Sequence, residues 1–203
     1  MVSADYLVIG CGLVGQLLAW QLARAGASVA IIGSAARRSA SVIAPGMINP
    51  LAGQRLRPGR DFAARQAEAL DVYRGFEQIA DYTLWHALPL LRVLKTADQR
   101  RDLEKRCHEA DAARYVGQWY EPGSLAPGIL NPHGAFLTHD AGWLDVPATL
   151  EVLDAILAEM PGVTRREGIV APEELHPEGD GVRWGDQRYR AAIFCEGWHA
   201  TAN

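Results

Sequence analysis

Apolar and polar positions near the start of the chain alternate between strand-like and helix-like spacing. The apolar run Tyr6–Ile9 predicts a buried strand, and a second such run follows at Ser28–Ile32. Between them, apolar residues recur at helical spacing over Gln16–Ala25, and Gly26 ends the predicted helix. The first strand leads into this helix through Gly-Cys-Gly-Leu-Val-Gly at positions 10–15. Strand, glycine turn, helix and strand in this order predict one βαβ unit of the dinucleotide-binding type.

Each glycine of the turn has a distinct physical role in such a unit. Gly10 allows the tight turn out of the strand, Gly12 lets a pyrophosphate approach the backbone because it has no Cβ, and Gly15 lets the helix pack closely on the sheet. The first N–H groups of the helix have no intrahelical acceptor and lie at the positive end of its dipole. We therefore expect the phosphates of a dinucleotide over residues 10–15.

The second strand lacks the acidic residue that usually follows it and binds the ribose hydroxyls. Gly33 stands at that position, and no Asp or Glu occurs from Tyr6 to Arg60. In one interpretation Ser34 or backbone groups hold the ribose. In the other, the dinucleotide is NADP, whose 2′-phosphate would attract Arg37 or Arg38. Either arginine alone is equally explained as a solvated loop charge.

The pattern changes after residue 60. It predicts a long amphipathic helix over 62–80, a strand region over 82–96 and a charged surface helix over 98–113. Strands and loops of an antiparallel sheet are predicted over 117–142, and a helix with one apolar face over 146–160. Short strands are predicted at Val163–Thr164, Gly168–Val170, Val182–Trp184 and Ala191–Phe194.

Four segments together resemble one family. The glycine turn is followed by Ser-Ala-Ser-Val-Ile-Ala-Pro-Gly-Met-Ile-Asn-Pro-Leu over 39–51, then by Gly-Trp-Leu-Asp-Val-Pro over 142–147. The apolar segment 189–198 ends in Cys-Glu-Gly-Trp. In this order the segments resemble the FAD-dependent D-amino-acid-oxidase-type superfamily, which includes glycine and sarcosine oxidases. The resemblance implies FAD as the cofactor and hydride transfer from an amine or amino-acid substrate to flavin N5.

The resemblance also implies a domain organisation and a set of cofactor contacts. Residues 1–60 and 162–203 would form a discontinuous FAD-binding domain, and residues 61–161 an inserted, partial substrate-binding domain. The fold class is therefore α/β, a Rossmann-like domain with an incomplete α+β insertion built on an antiparallel sheet. The expected FAD contacts are Gly10, Gly12, Leu13, Val14, Gly15, Gly33, Ser34, Ser39, Ser41, Gly46, Met47, Val170, Cys195 and Gly197.

The substrate side is less defined than the cofactor side. Candidate residues are Met47, Asn49, Trp119, Tyr120 and His139, although packing or loop roles explain each of them as well. No residue is assigned as catalytic. The family continues beyond the point that corresponds to Asn203, so we expect a C-terminally truncated chain, with an inactive remnant as an alternative.

Composition adds few constraints. The 203 residues are 49% hydrophobic and 22% charged, with a formal net charge of -4, which is typical of a globular protein with a real core. No apolar run is long enough to span a membrane and no signal peptide is visible, so a cytoplasmic location is expected. Three widely spaced cysteines fit a reducing compartment. Neither metal-ligand spacing nor a basic, aromatic-rich patch occurs, so no metal or nucleic acid is expected to bind.

Overall fold

The computed structural model describes residues 4–34, 39–108 and 110–202. The chain divides into two compact units, Met1–Ala44 with Val146–Asn203, and Pro45–Asp145. The helices are α1 (Leu13–Arg24), α2 (Ala40–Ile43), α3 (Phe62–Ala80), α4 (Ala97–Arg106), α5 (Ala110–Ala113) and α6 (Val146–Glu159), with 3-10 turns at Pro172–Glu174 and Gly197–Ala202. The strands are β1 (Tyr6–Ile9), β2 (Val29–Gly33), β3 (Met47–Ile48), β4 (Trp85–Ala87), β5 (Leu90–Val93), β6 (Val116–Tyr120), β7 (Ala135–Thr138), β8 (Gly142–Leu144), β9 (Val163–Glu167), β10 (Leu175–Glu178), β11 (Gly181–Trp184), β12 (Gln187–Tyr189) and β13 (Ala191–Phe194).

The first unit is built on a four-stranded parallel sheet in the order β13-β1-β2-β9. The helix α1 connects β1 to its neighbour β2, so the predicted βαβ unit is present. The chain returns to the other side of β1 only at β13, and the strand order therefore reverses between β1 and β13. In open parallel sheets ligands bind outside the carboxyl ends of the strands at such a reversal. The predicted α/β, Rossmann-like fold class is confirmed.

The two faces of the parallel sheet are covered by different layers because side chains alternate along each strand. Leu7 and Ile9 of β1 point to one face, where they join a buried cluster with residues of the antiparallel sheet β10-β11-β12. The fully buried Val8 points the other way. Helices α1 and α6 pack on each other and on the strands. The sheet is thus buried on both faces, as parallel sheets require.

Strand β9 differs from its prediction. Val163–Thr164 and Gly168–Val170 were expected to be two short strands, whereas one strand runs over Val163–Glu167 and ends there. Arg165, Arg166 and Glu167 interrupt the apolar pattern that was used to find strands. Polar residues are tolerated here because β9 is the last strand in the sheet order and residues 164–167 are exposed.

The second unit contains two three-stranded antiparallel sheets, β3-β8-β4 and β5-β7-β6. Its core includes Leu51, Leu94, Leu103 and Phe136, all of which are almost fully buried. The predicted long helix matches α3, whose Tyr73 and Phe76 are buried.

The two compact units do not end at the predicted domain boundaries of 60/61 and 161/162. Strand β3, placed by sequence in the cofactor domain, pairs with β8 and so belongs to the second unit. Helix α6, placed by sequence in the insertion, packs on α1 and β9 and so belongs to the first unit. Strand pairing and helix packing between distant segments fix these boundaries at Ala44/Pro45 and Asp145/Val146.

Candidate functional site

A cleft of about 880 Å³ lies at the carboxyl ends of the four parallel strands. Its volume is in the range of about 300–1,000 Å³ that is usual for ligand sites. All four strands and the α2 segment contribute to its walls. The cleft is lined by Ile9–Val14, Ile32–Ser34, Ser39–Ile43, Arg165, Glu167–Val170 and Phe194–Gly197.

Because Gly10 and Gly15 have no side chains, the backbone of the glycine turn packs closely on neighbouring backbone beneath the cleft. Gly10 has a φ of 120°, which disfavours other residues, and an added Cβ would lie 2.4 Å from the carbonyl oxygen of Cys195. A Cβ on Gly15 would lie 2.0 Å from the carbonyl oxygen of Gly10. Both contacts would be with backbone atoms, which cannot rotate away. The turn between β1 and α1 therefore packs closely against β13 because of these two glycines.

Gly12 faces the two serines at the start of α2, Ser39 and Ser41. It precedes α1 with extended backbone and no side-chain cap, and an added Cβ would lie 2.9 Å from Ser39 Oγ and 3.3 Å from Ser41 Oγ. The Leu13 N–H donates to Ser41 Oγ at 3.1 Å, and the Ser41 N–H donates to Ser39 Oγ at 3.1 Å. The serine hydroxyls thus hold α2 against the N-terminus of α1. The N–H groups of Val14 and Gly15 also belong to the first turn and have no intrahelical acceptor.

The side chain of Cys11 occupies the space beside Gly33. A Cβ added to Gly33 would lie 2.3 Å from Cys11 Sγ and 2.9 Å from Cys11 Cβ. Helix α1 is fixed to the same turn by Gln16, whose Nε2 donates to the Cys11 carbonyl oxygen at 3.1 Å. Cys11 itself is a partly buried free cysteine. In the structure it excludes a side chain at residue 33.

Charged groups lie at the β9 side of the cleft. Arg165 forms an ion pair with Asp154 of α6 and lies beside the Cys11 thiol. Burial raises the pKa of the Cys11 thiol; the Arg165 charge opposes this shift, and the carboxylates of Asp154 and Glu167 add to it. Burial also raises the pKa of the Cys195 thiol. Cys11 therefore stays protonated near neutral pH, which makes it a poor nucleophile.

Exposed apolar side chains surround the cleft. Val14, Val42, Ile43, Ile169 and Phe194 are between 42% and 74% exposed, although each is a large hydrophobic residue. A contiguous exposed apolar surface of this kind marks a ligand groove or an interface. The aromatic rings of a dinucleotide would cover such a surface.

The structure brings most of the predicted cofactor contacts to this one cleft. Gly15 lies beneath the turn, and Gly46 and Met47 lie in the second unit, where the Gly46 carbonyl accepts from the Leu144 N–H at 3.0 Å. Arg37 and Arg38, the proposed NADP contacts, fall outside the described residues. The predicted contacts that line the cleft are Gly10, Gly12, Leu13, Val14, Gly33, Ser34, Ser39, Ser41, Val170, Cys195 and Gly197.

Sequence reasoning missed the β9 contribution and the apolar rim. Arg165 and Glu167 could have been found by applying the carboxyl-end rule to a strand ending at residue 167, but the predicted strand stopped earlier. Ile43, Ile169 and Phe194 carry no chemical signature in sequence. Their role follows only from their exposure beside the cleft.

The substrate-side candidates lie in the second unit and have local packing partners. Asn49 Oδ1 accepts the Leu51 N–H at 2.9 Å and so stabilises its own turn. The Trp119 ring packs on Phe136 with ring centroids 5.6 Å apart. His139 fills the space beside Gly117. Met47 is 57% exposed on β3, and Tyr120 ends β6.

Neither a metal-binding cluster nor a membrane-spanning helix occurs in the parts of the chain that the structure describes. Within residues 4–34, 39–108 and 110–202, His, Cys, Asp and Glu do not group in a way that could hold a metal ion. Over the same residues, every helix is too short or too polar to cross a membrane.

A parallel sheet with a glycine turn at its carboxyl edge defines the class of Rossmann-like, dinucleotide-binding proteins. The chain belongs to the DAO family, described as FAD dependent oxidoreductase, whose profile matches residues 5–203. This match confirms the resemblance seen in the motifs, and FAD rather than NADP is the cofactor of the family. No curated protein sequence matches the chain.

Solved structures of oxidases share the fold. Glycine oxidase from Geobacillus kaustophilus is 17% identical with a TM-score of 0.71, and the match covers 96% of this chain and 55% of that one. Iminodiacetate oxidase from Chelativorans sp. BNC1 is 19% identical with a TM-score of 0.71, covering 98% and 56%. The L-alpha-glycerophosphate oxidase from Mycoplasma pneumoniae, with FAD bound, is 15% identical with a TM-score of 0.67, covering 98% and 56%. The chain thus spans about half the length of these proteins.

Proposed function

We propose that this chain supplies the FAD-binding part of an oxidoreductase that oxidises an amine or amino acid. When bound, FAD would accept a hydride at N5 from the carbon next to the substrate nitrogen. The observation that carries the proposal is the glycine turn at the carboxyl edge of the parallel sheet, with α1 starting at the cleft. Two of the similar structures are glycine and iminodiacetate oxidases, which supports a nitrogen-bearing substrate.

The residues of the cleft fit an FAD pyrophosphate. The N–H groups of Val14 and Gly15 and the positive end of the α1 dipole would bind its oxygens. Ser39 and Ser41 would keep the adjoining loop in place, because Ser41 already accepts the Leu13 N–H. Absence of a side chain at Gly12 leaves the space beside Ser39 and Ser41 open, and absence of one at Gly10 lets the turn pack on Cys195.

The remaining predicted contacts have separate roles in this proposal. Gly33, Ser34 and Val170 would face the adenosine half, since Gly33 and Ser34 lie at the end of β2 and Val170 lies in the segment that follows β9. Cys195 and Gly197 would border the cofactor from β13. Gly46 and Met47 remain predicted flavin contacts on the basis of the family resemblance. The exposed apolar rim excludes water once an aromatic ring covers it, which would strengthen polar contacts inside the site.

Flavin content measured on two matched variants tests the cofactor site. Gly12→Val places branched methyl groups among the two serine hydroxyls and the phosphate position, so FAD retention should be lost while the far-UV circular dichroism stays unchanged. Gly59→Val is the control, because an added Cβ there meets nothing within 4 Å. Stoichiometric FAD in purified Gly12→Val would place the cofactor elsewhere.

Anaerobic reduction of the bound flavin tests the reaction. Glycine, sarcosine and D-amino acids are the probes, and the expected result is bleaching of the visible flavin bands by at least one of them. A chain that binds FAD and is reduced by dithionite but by none of these compounds would contradict the proposed substrate class.

A further inference from the structure

The missing acid at the end of β2 has a steric cause. Gly33 ends β2, and the Cys11 side chain fills the volume in which a side chain at residue 33 would begin. A separation of 2.3 Å between the added Cβ and Cys11 Sγ is far below any real contact. With cysteine at residue 11, an aspartate or glutamate at residue 33 would require the Cys11 side chain and the adjoining turn to shift.

A carboxylate is present on the neighbouring strand at the same level. In the parallel register Glu167 of β9 is the direct partner of Gly33, and the Gly168 N–H donates to the Gly33 carbonyl oxygen at 2.9 Å. Adjacent strands lie about 4.8 Å apart, and directly paired residues point to the same face. Glu167 lines the cleft and is exposed. The sheet therefore carries a carboxylate on β9, one strand away from its usual position at the end of β2.

Among the residues that the structure describes, the charges near Glu167 favour a neutral hydroxyl ligand over an anionic one. Arg165, on the same face two residues earlier, is paired with Asp154 and lies beside the Cys11 thiol. Its positive charge is therefore already compensated. A phosphate on the 2′-oxygen of the ribose would be repelled by the Glu167 carboxylate, whereas the ribose hydroxyls would donate hydrogen bonds to it.

We propose that Glu167 accepts the hydroxyl groups of the adenosine ribose of FAD, in place of the acid that is absent at residue 33. The assignment rests on the proposed function, since it presumes that the cleft holds the adenosine half of FAD. It makes Glu167 a binding residue that discriminates against a 2′-phosphate.

Calorimetric affinities of the full chain for ADP and 2′-deoxy-ADP test the assignment. Wild type should prefer ADP by about tenfold or more, the scale of a hydrogen bond to a charged acceptor. Glu167→Ala should bring the ratio close to one, and Glu167→Gln should give an intermediate ratio because an acceptor oxygen remains. Glu173→Ala is the matched control, a nearby exposed glutamate outside the cleft lining, and should keep the wild-type ratio.

A rescue variant distinguishes the loss of a ribose contact from a general weakening of nucleotide binding. Cys11→Gly combined with Gly33→Glu and Glu167→Ala removes the two side-chain contacts below 3.0 Å, leaves the residue 11 backbone nitrogen 3.1 Å from the new Cβ, and returns the acid to β2, so the preference for ADP should reappear. Gly33→Glu with Cys11 retained should fail to restore it.

The outcomes distinguish this assignment from the proposed function. If the chain binds FAD and ADP but the ratio is near one in wild type or unchanged in Glu167→Ala, the ribose assignment is overturned and FAD binding stands. If the chain binds neither FAD nor ADP, the proposed function fails and the assignment fails with it.

Discussion

Adding a single methyl group at Gly15 should destabilise the protein although alanine favours helices. The Cβ of Gly15→Ala would lie 2.0 Å from the Gly10 carbonyl oxygen, about 1.4 Å short of the 3.4 Å at which ordinary contact begins. The obstructing atom belongs to the backbone of the turn, so α1 or the turn must move. Overpacking of this kind costs typically about 1–3 kcal/mol.

The helix propensity of alanine offsets only part of that cost. Alanine is favoured over glycine in a helix by about 1 kcal/mol. Because the 2.0 Å contact is with a backbone atom, the upper end of the overpacking range applies, and the net loss is roughly 2 kcal/mol. For a chain of this size, each kcal/mol shifts the Tm by about 2–4 °C, so the Tm should fall by about 4–8 °C.

Gly75→Ala is the matched control for the same substitution in a helix. Gly75 lies inside α3, and a Cβ there meets nothing within 4 Å. Only the difference in helix propensity between alanine and glycine remains, so Gly75→Ala should raise the free energy of unfolding by up to about 1 kcal/mol. Thermal melts followed by far-UV circular dichroism measure both shifts. A Gly15→Ala protein as stable as wild type, beside a stabilised Gly75→Ala protein, would show that α1 does not approach β1 as closely as described.

Two further predictions concern titratable groups of the first unit. Hydrogen bonds from the backbone N–H and hydroxyl of Ser28 lower the pKa of Asp5 below its ordinary 3.8, with Arg190 as a smaller contributor. The stability that these hydrogen bonds add is therefore present above the pKa of Asp5 in the unfolded chain and is lost as pH falls through its pKa in the folded chain. Asp5→Asn should lower the Tm near neutral pH and leave it unchanged in strong acid. A Tm difference that does not vary with pH would contradict this prediction. Burial raises the pKa of the Cys11 thiol, so iodoacetamide should label it more slowly in the folded chain than in the urea-unfolded chain. Bound FAD should slow the labelling further. Equal labelling rates in the folded and unfolded chains would show that the thiol is accessible.

The sequence was sufficient for the elements whose signals are local. The glycine turn between two apolar runs predicted β1, α1 and β2, and the helical periodicity after residue 60 predicted α3. Strand β9 was predicted wrongly because its second half is polar, and a polar segment becomes a strand only by pairing with β2. The unit boundaries depend in the same way on the β3–β8 pairing, which joins segments far apart in sequence.

The site shows the same division between local and long-range information. Sequence predicted the phosphate-facing turn, because its residues are consecutive, and it detected that an acid was missing at Gly33. It could not show why the acid is missing, since the distance between Cys11 Sγ and the space beside Gly33 is set by how the turn packs on β2. It also could not connect Gly33 with Glu167, because only the parallel register aligns them.

Residues 11, 33 and 167 are therefore coupled, and the first of them determines the other two. The Cys11 side chain, directed toward the end of β2, lies where a side chain at residue 33 would begin and so favours glycine there. A ribose carboxylate must then come from a position other than residue 33, and β9 presents one at the aligned position. Single substitutions at any of the three positions disturb a matched set, which is why the rescue variant has to change all three. An acid missing from its usual position in a Rossmann-like sequence thus does not by itself indicate NADP, because sheet register can supply the carboxylate from a neighbouring strand.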